Sequence, residues 1–93
     1  MGDRRVTETV DVADLPRSTR EQLGELPPTA TVVYLHLHNE GGPRTLRQIA
    51  YETARPRKSV HRALRNLHEE DLVTCSPRHT EPPASEWTIA GMS

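Results

Sequence analysis

The sequence contains no phenylalanine, one tryptophan and two tyrosines. A core with so little aromatic mass must be built from Leu, Val, Ile and Ala, and in a chain of 93 residues it suits one small domain. Cysteine is nearly absent as well. Cys75 stands alone, which excludes an intrachain disulfide and fits a reducing compartment. No apolar run approaches the length of a membrane span, and the stretch MGDRRVTETVDVADLP has no apolar h-region. A soluble, cytoplasmic protein is expected. The motifs of common enzymes are also missing: there is no phosphate-cradling glycine loop, no nucleophile elbow and no clustered carboxylates. Paired cysteines that would hold zinc are absent. His36 and His38 are two apart on a predicted helix and so point to different sides, while Cys75 and His79 lie at a strand end and in a loop. The expectation is a binding protein rather than an enzyme, without metal or cofactor, in which Cys75 is a small inward-facing strand residue.

What is present is an uneven distribution of charge. The formal net charge is −1, but residues 44–68 carry six Arg, one Lys and one acid, for +6. Residues 1–43 come to −3 and residues 69–93 to −4. Eleven of the twelve basic residues are Arg, whose planar fork of donors suits phosphates and guanine edges. A basic run can be a solvated face and nothing more, so its geometry decides.

Residues 1–14 are expected to be weakly ordered, with a short strand at Val6–Val12. Ser18 and Glu21 have the spacing of a capping box and predict a short helix over Thr19–Glu25, ended by Pro27-Pro28. A stronger helix is predicted over Thr29–Asn39, stopped by Gly41-Gly42-Pro43. Ala30, Val33, Tyr34 and Leu37 share one of its faces, and Val32 and Leu35 lie nearly opposite. Thr45 and Gln48 form a second capping box, opening an amphipathic helix with Leu46, Ile49, Ala50 and Thr53 on one side. It breaks at Ala54-Arg55-Pro56. Pro56 suits the first turn of a new helix, which runs from Pro56 or Arg57 to about Glu70. Val60, Ala63, Leu64 and Leu67 are its apolar stripe. Lys58, Arg62 and Arg65 fall on the opposite side with His61 at the margin, so the basic run is one face of an ordered helix. Val73 and Cys75, then Trp87 and Ile89, alternate with polar residues. Two such runs joined by a Pro-containing loop read as a β-hairpin.

The segments LPPTA, GGPRT, QIA, SVHRALRNL and EEDLV, in that order, resemble the DNA-binding core of winged helix-turn-helix transcriptional regulators of the MarR type and related archaeal regulators. The resemblance covers Leu26–Ile89. It implies an α+β fold, a three-helix core plus a β-hairpin wing over residues 27–90; residues 1–26, which the resemblance does not explain, are expected to be a partly disordered N-terminal extension with a short helix. It also implies sequence-specific binding of double-stranded DNA, with the helix that begins near Arg57 in the major groove. Arg57, Lys58, Ser59, His61, Arg62 and Arg65 would face DNA. The preceding helix, with Arg44, Thr45, Arg47 and Gln48, would cross the backbone, and Arg78 and His79 would carry the wing. Ala54 and Asp71 stand where such regulators usually have Gly. Arg55 stands where such regulators usually have an apolar turn residue, and would give a more exposed turn with an extra phosphate contact. Leu15, Leu23 and Leu26 are expected to cover the Val32–Leu35 strip, within one chain or across a two-fold axis, and a homodimer is favoured. The alternative function is a winged-helix protein–protein module whose basic face meets an acidic partner.

Overall fold

The computed structural model describes residues 11–78 and 84–90. Most of the expected Val6–Val12 strand lies outside them, as does His79. Val12 itself opens a 3₁₀ turn, Val12–Asp14, closed by a reciprocal capping box between Asp11 and Asp14.

Helix α1 spans Arg17–Gly24, two residues earlier than the Ser18 cap predicts. Pro16 occupies the N-cap position and no side chain caps it. Glu21 bonds Arg17 at 3.2 Å, one turn back, instead of returning to Ser18. Proline sets the backbone angle for the first turn without any help from a serine hydroxyl. Helix α2, Pro28–Glu40, begins in the same way after Pro27 and ends at Gly41, whose φ of 74° is the left-handed value that glycine adopts at little cost. Two residues of strand, β1 (Arg44–Thr45), lead into α3 (Leu46–Thr53), and α4 follows over Arg57–Glu69. Strands β2 (Val73–Arg78) and β3 (Ala84–Ile89) form the hairpin.

The sheet is antiparallel in the order β1-β3-β2, with Val73 opposite Ile89, Cys75 opposite Trp87, and Thr45 opposite Glu86. Strand β1 is too short to show a period in the sequence. β2 is longer than the hydrophobic pattern suggests, continuing through Pro77 to Arg78. It lies at the sheet edge, where a proline takes no hydrogen bond from the ladder.

The core is aliphatic, as the composition requires. Ala30, Val33, Tyr34 and Leu37 of α2 meet Ile49 and Ala50 of α3 and Val60, Ala63, Leu64 and Leu67 of α4, all buried. Val73 and Ile89 close it from the sheet. Each fully buried Val, Leu or Ile contributes on the order of 1.5–3 kcal/mol. Leu15 and Leu23 belong to this core, with Leu26 and Leu35 packed against it. On the back of α2, Val32 and Leu35 are both half-buried.

Cys75 is exposed, contrary to the inward-facing expectation. It shares the face of Val73, but the buried part of that face ends at Val73 and Ile89. Two residues further along, opposite Trp87, alternation no longer implies burial.

Both α3 and α4 end in the same device. Beyond α3, Arg55 N–H bonds the Ala50 carbonyl at 3.1 Å and Ala54 N–H the Tyr51 carbonyl at 3.3 Å. Beyond α4, Leu72 N–H bonds Leu67 and Asp71 N–H bonds His68, at 2.9 and 3.0 Å. These are Schellman pairs, and each needs a left-handed residue: Ala54 (φ 57°) and Asp71 (φ 61°).

Candidate nucleic-acid interface

The α4 surface begins with its buried stripe. Val60, Ala63, Leu64 and Leu67 dock on α2 and α3, and this fixes the direction of every other side chain on the helix. Arg57, Lys58, His61, Arg62 and Arg65 are all exposed on the outer side. Lys58, His61, Arg62, Arg65, Asn66 and Glu69 line one shallow groove there. Among the described residues no ion pair engages Lys58, Arg62 or Arg65. Ser59 is set apart from this face. It is half-buried in a second groove with Pro27, Thr29 and Ala63, which Arg62 and Asn66 border as well.

A broader concavity lies where α3 turns into α4. Arg47, Gln48, Tyr51, Arg55 and Arg57 line it, with Ala50 and Glu52. Tyr51 is 86% exposed, the one large hydrophobic side chain among the described residues left so open. Arg47 and Arg55 are exposed as well. Arg55 occupies the place where a Schellman turn usually carries an apolar contact, so its guanidinium is left for solvent or a ligand.

The beginning of α3 is tied internally. Thr45 is buried; its Oγ1 accepts the Gln48 N–H at 3.2 Å, and Gln48 Oε1 accepts the Thr45 N–H at 2.9 Å. This is the reciprocal capping box expected from the sequence. It commits the Gln48 carbonyl oxygen and leaves Thr45 little surface.

Arg44 is committed too, to Glu40 four residues back and to Glu52 of α3. Its Nη2 donates to Glu40 Oε1 at 2.7 Å, and its Nε lies 3.3 Å from Glu52 Oε1, misaligned for a hydrogen bond. His36 Nε2 sits 2.7 Å from the same Glu52 oxygen. The Glu40 hydrogen bond is the main reason the Arg44 guanidinium is held above its ordinary range. Glu52 is held below the usual carboxylate value of 4.5, chiefly by the His36 hydrogen bond and then by Arg44. The pairing spans 16 residues from His36 to Glu52, so only the packing of α2 on α3 reveals it.

Arg78 ends β2, and His79 is beyond the described residues. The structure thus brings Arg47, Arg55, Arg57, Lys58, His61, Arg62 and Arg65 to exposed positions on α3, α4 and the turn between them. It turns Arg44, Thr45 and Ser59 to other surroundings. Tyr51 and Asn66 join the grooves without being among the predicted site residues. Their register with Arg47 and Arg62, four residues back in each case, is the signal that points to them. Among the described residues no three His, Cys, Asp or Glu side chains converge as a metal site would need, and no helix is long and apolar enough to cross a membrane.

Residues 35–77 match the model of the IclR helix-turn-helix domain. That segment runs from the middle of α2 through α3 and α4 into β2. No curated protein matches the chain. Among solved structures, the reduced form of the transcriptional regulator YodB from B. subtilis is 17% identical with a TM-score of 0.65, over 80% of this chain and 70% of that one. A possible transcriptional regulator from Methanosarcina mazei Go1 is 15% identical with a TM-score of 0.69, over 88% and 73%. Diamide-treated YodB is 20% identical with a TM-score of 0.60, over 80% and 70%. At such identities the likeness is one of fold. The chain has the winged helix-turn-helix fold; the finer MarR-type assignment is not carried by these matches.

Proposed function

We propose that this winged helix-turn-helix chain is a sequence-specific regulator of transcription that binds double-stranded DNA through α4. The observation that carries the reading is the α4 outer face. Lys58, His61, Arg62 and Arg65 are exposed, backed by a fully apolar stripe and mounted on the helix that follows the turn. In helix-turn-helix proteins that helix enters the major groove while the preceding one crosses the backbone. Arg47, Arg55 and Arg57, around Tyr51, are then the phosphate contacts. They set register, and the α4 face reads bases. Arg44 supports α3 through Glu40 and Glu52 rather than reaching for phosphate. Arg78 and His79 complete the interface from the hairpin. The chain acts by occupying a promoter, as a binding protein and not as an enzyme.

Pairing of two copies on two half-sites belongs to the same reading. On the back of α2, half-buried Val32 and Leu35 are the apolar residues left for such a contact. Light scattering of the full chain at micromolar concentration decides it: a monomer with and without its duplex removes the dimer from the proposal.

The test of DNA binding is fluorescence anisotropy on sites selected from a random duplex pool. Affinity should fall steeply with salt. Arg62→Ala should weaken binding by about 1–3 kcal/mol if its fork meets a base edge. A folded chain with no salt-dependent duplex binding would refute the proposal and favour an acidic protein as the partner of this face.

A further inference from the structure

We infer, resting on the DNA-binding reading above, that the α4 strip selects guanine: the preferred duplex presents guanines within a run of about four base pairs, read in the major groove by Lys58, Arg62 and Arg65.

The first argument is the chemistry of the strip. Lys58, Arg62 and Arg65 can only donate hydrogen bonds. In the major groove guanine offers two adjacent acceptors, N7 and O6. Adenine sets a donor, N6, beside its N7. Cytosine offers a donor, and thymine one acceptor beside a methyl group. Side chains that only donate therefore match guanine better than any other base, and the guanidinium fork matches both acceptors at once.

The second argument is that the donors are free. All three side chains are exposed, and none is in an ion pair among the described residues. Arg44, by contrast, is spoken for by Glu40 and Glu52.

The third is that the amides suited to adenine are engaged elsewhere or less exposed. Gln48 gives its oxygen to the Thr45 N–H. Gln22 donates to the Glu70 carbonyl at the far end of α4. Asn66, which edges the same groove, is half-buried, unlike the exposed Lys58, Arg62 and Arg65. Glu69, the acceptor on this groove, lies one turn beyond Arg65 and ends the strip.

Spacing is the fourth. Lys58, Arg62 and Arg65 stand at i, i+4 and i+7, about 6 and then 4.5 Å apart along the helix axis. Ten base pairs occupy about 34 Å, so the three side chains cover roughly three base-pair steps.

The competing use of the same cations is phosphate, which would make affinity blind to sequence. Replacing guanine N7 by carbon separates the two, because 7-deazaguanine leaves phosphates and pairing in place. Duplexes selected by the full chain should carry two or more guanines within four consecutive pairs. In anisotropy titrations, 7-deazaguanine at two or more of those positions should weaken binding by roughly five- to 150-fold each. With Arg62→Ala, one of those positions should lose its sensitivity. Salt-dependent binding that ignores 7-deazaguanine, or that responds only to 7-deazaadenine, would overturn the guanine assignment and leave DNA binding standing. Absence of any salt-dependent duplex binding would overturn both, and so the two failures are distinguishable.

Discussion

Replacing Ala54 by glycine should stabilise the protein. Ala54 sits at φ 57°, ψ 38°, immediately after α3. A left-handed backbone brings Cβ too close to the following carbonyl oxygen and costs an L-residue roughly 1–2 kcal/mol. Ala54 cannot relax, because its own N–H and that of Arg55 close the Schellman pair with Tyr51 and Ala50. Glycine removes the clash and adds about 0.5–1 kcal/mol of unfolded-state entropy, so the net gain is about 0.5–1 kcal/mol. For a domain of this size that raises Tm by about 2–8 °C. Thermal melting by circular dichroism and urea unfolding should agree, the midpoint moving and the slope not. The reverse substitution sharpens the test. At Gly41 (φ 74°) a Cβ would meet no atom within 4 Å, so Gly41→Ala isolates the backbone penalty, and a loss of about 1 kcal/mol is expected. If Ala54→Gly leaves Tm unchanged or lowers it while Gly41→Ala destabilises, the α3–α4 turn does not adopt a left-handed Ala54.

Two further predictions concern the core and the Glu52 end of α3. Leu64, with no exposed surface, is held among side chains of α2 and α3, so Leu64→Ala should cost about 2–5 kcal/mol. A variant that melts like the parent would mean that α4 is rotated and that its basic face is not where we describe it. The second is a pH dependence. The folded Glu52 carboxyl lies below 4.5, so the stability it supplies is complete above that value and disappears as pH falls through the lowered folded value. Glu52→Gln should therefore melt below the parent at neutral pH, with the gap closing in acid; a gap that persists unchanged at low pH would show that Glu52 acts through packing alone.

Much of this arrangement was legible because each element announces itself locally. The Thr45–Gln48 box, the α2 stop at Gly41 and the four-residue stripe of α4 rest on neighbours within one turn, and all appear as read. Ser18 shows the limit of that logic. Its spacing to Glu21 is right, but Pro16 starts the helix first and Arg17 captures the glutamate. Cys75 fails for a different reason: alternation gives the face of a strand and not how far the core extends beneath it. The Arg44–Glu52–His36 network was beyond reach because ion pairs between helices depend on crossing geometry, which no local pattern encodes. It matters to the site, since a sequence reading counts Arg44 as a free cation and the structure counts it as bound.

Strand β1 is two residues long, yet on the proposed function it would determine how the molecule meets a duplex. Thr45 is at once a strand residue opposite Glu86 and the cap of α3, while β3 also carries β2, the continuation of α4. The hairpin is thereby bolted to the beginning of one helix and the end of the next. Neither can swing without breaking ladder hydrogen bonds. A duplex engaging α4 and the hairpin together would meet a caliper of fixed opening, and a groove of the wrong width would have to distort to fit. The energy of such a distortion depends on base sequence at positions no side chain touches, so under the proposed DNA-binding function the shortest strand in the fold would supply a second way of telling one DNA site from another.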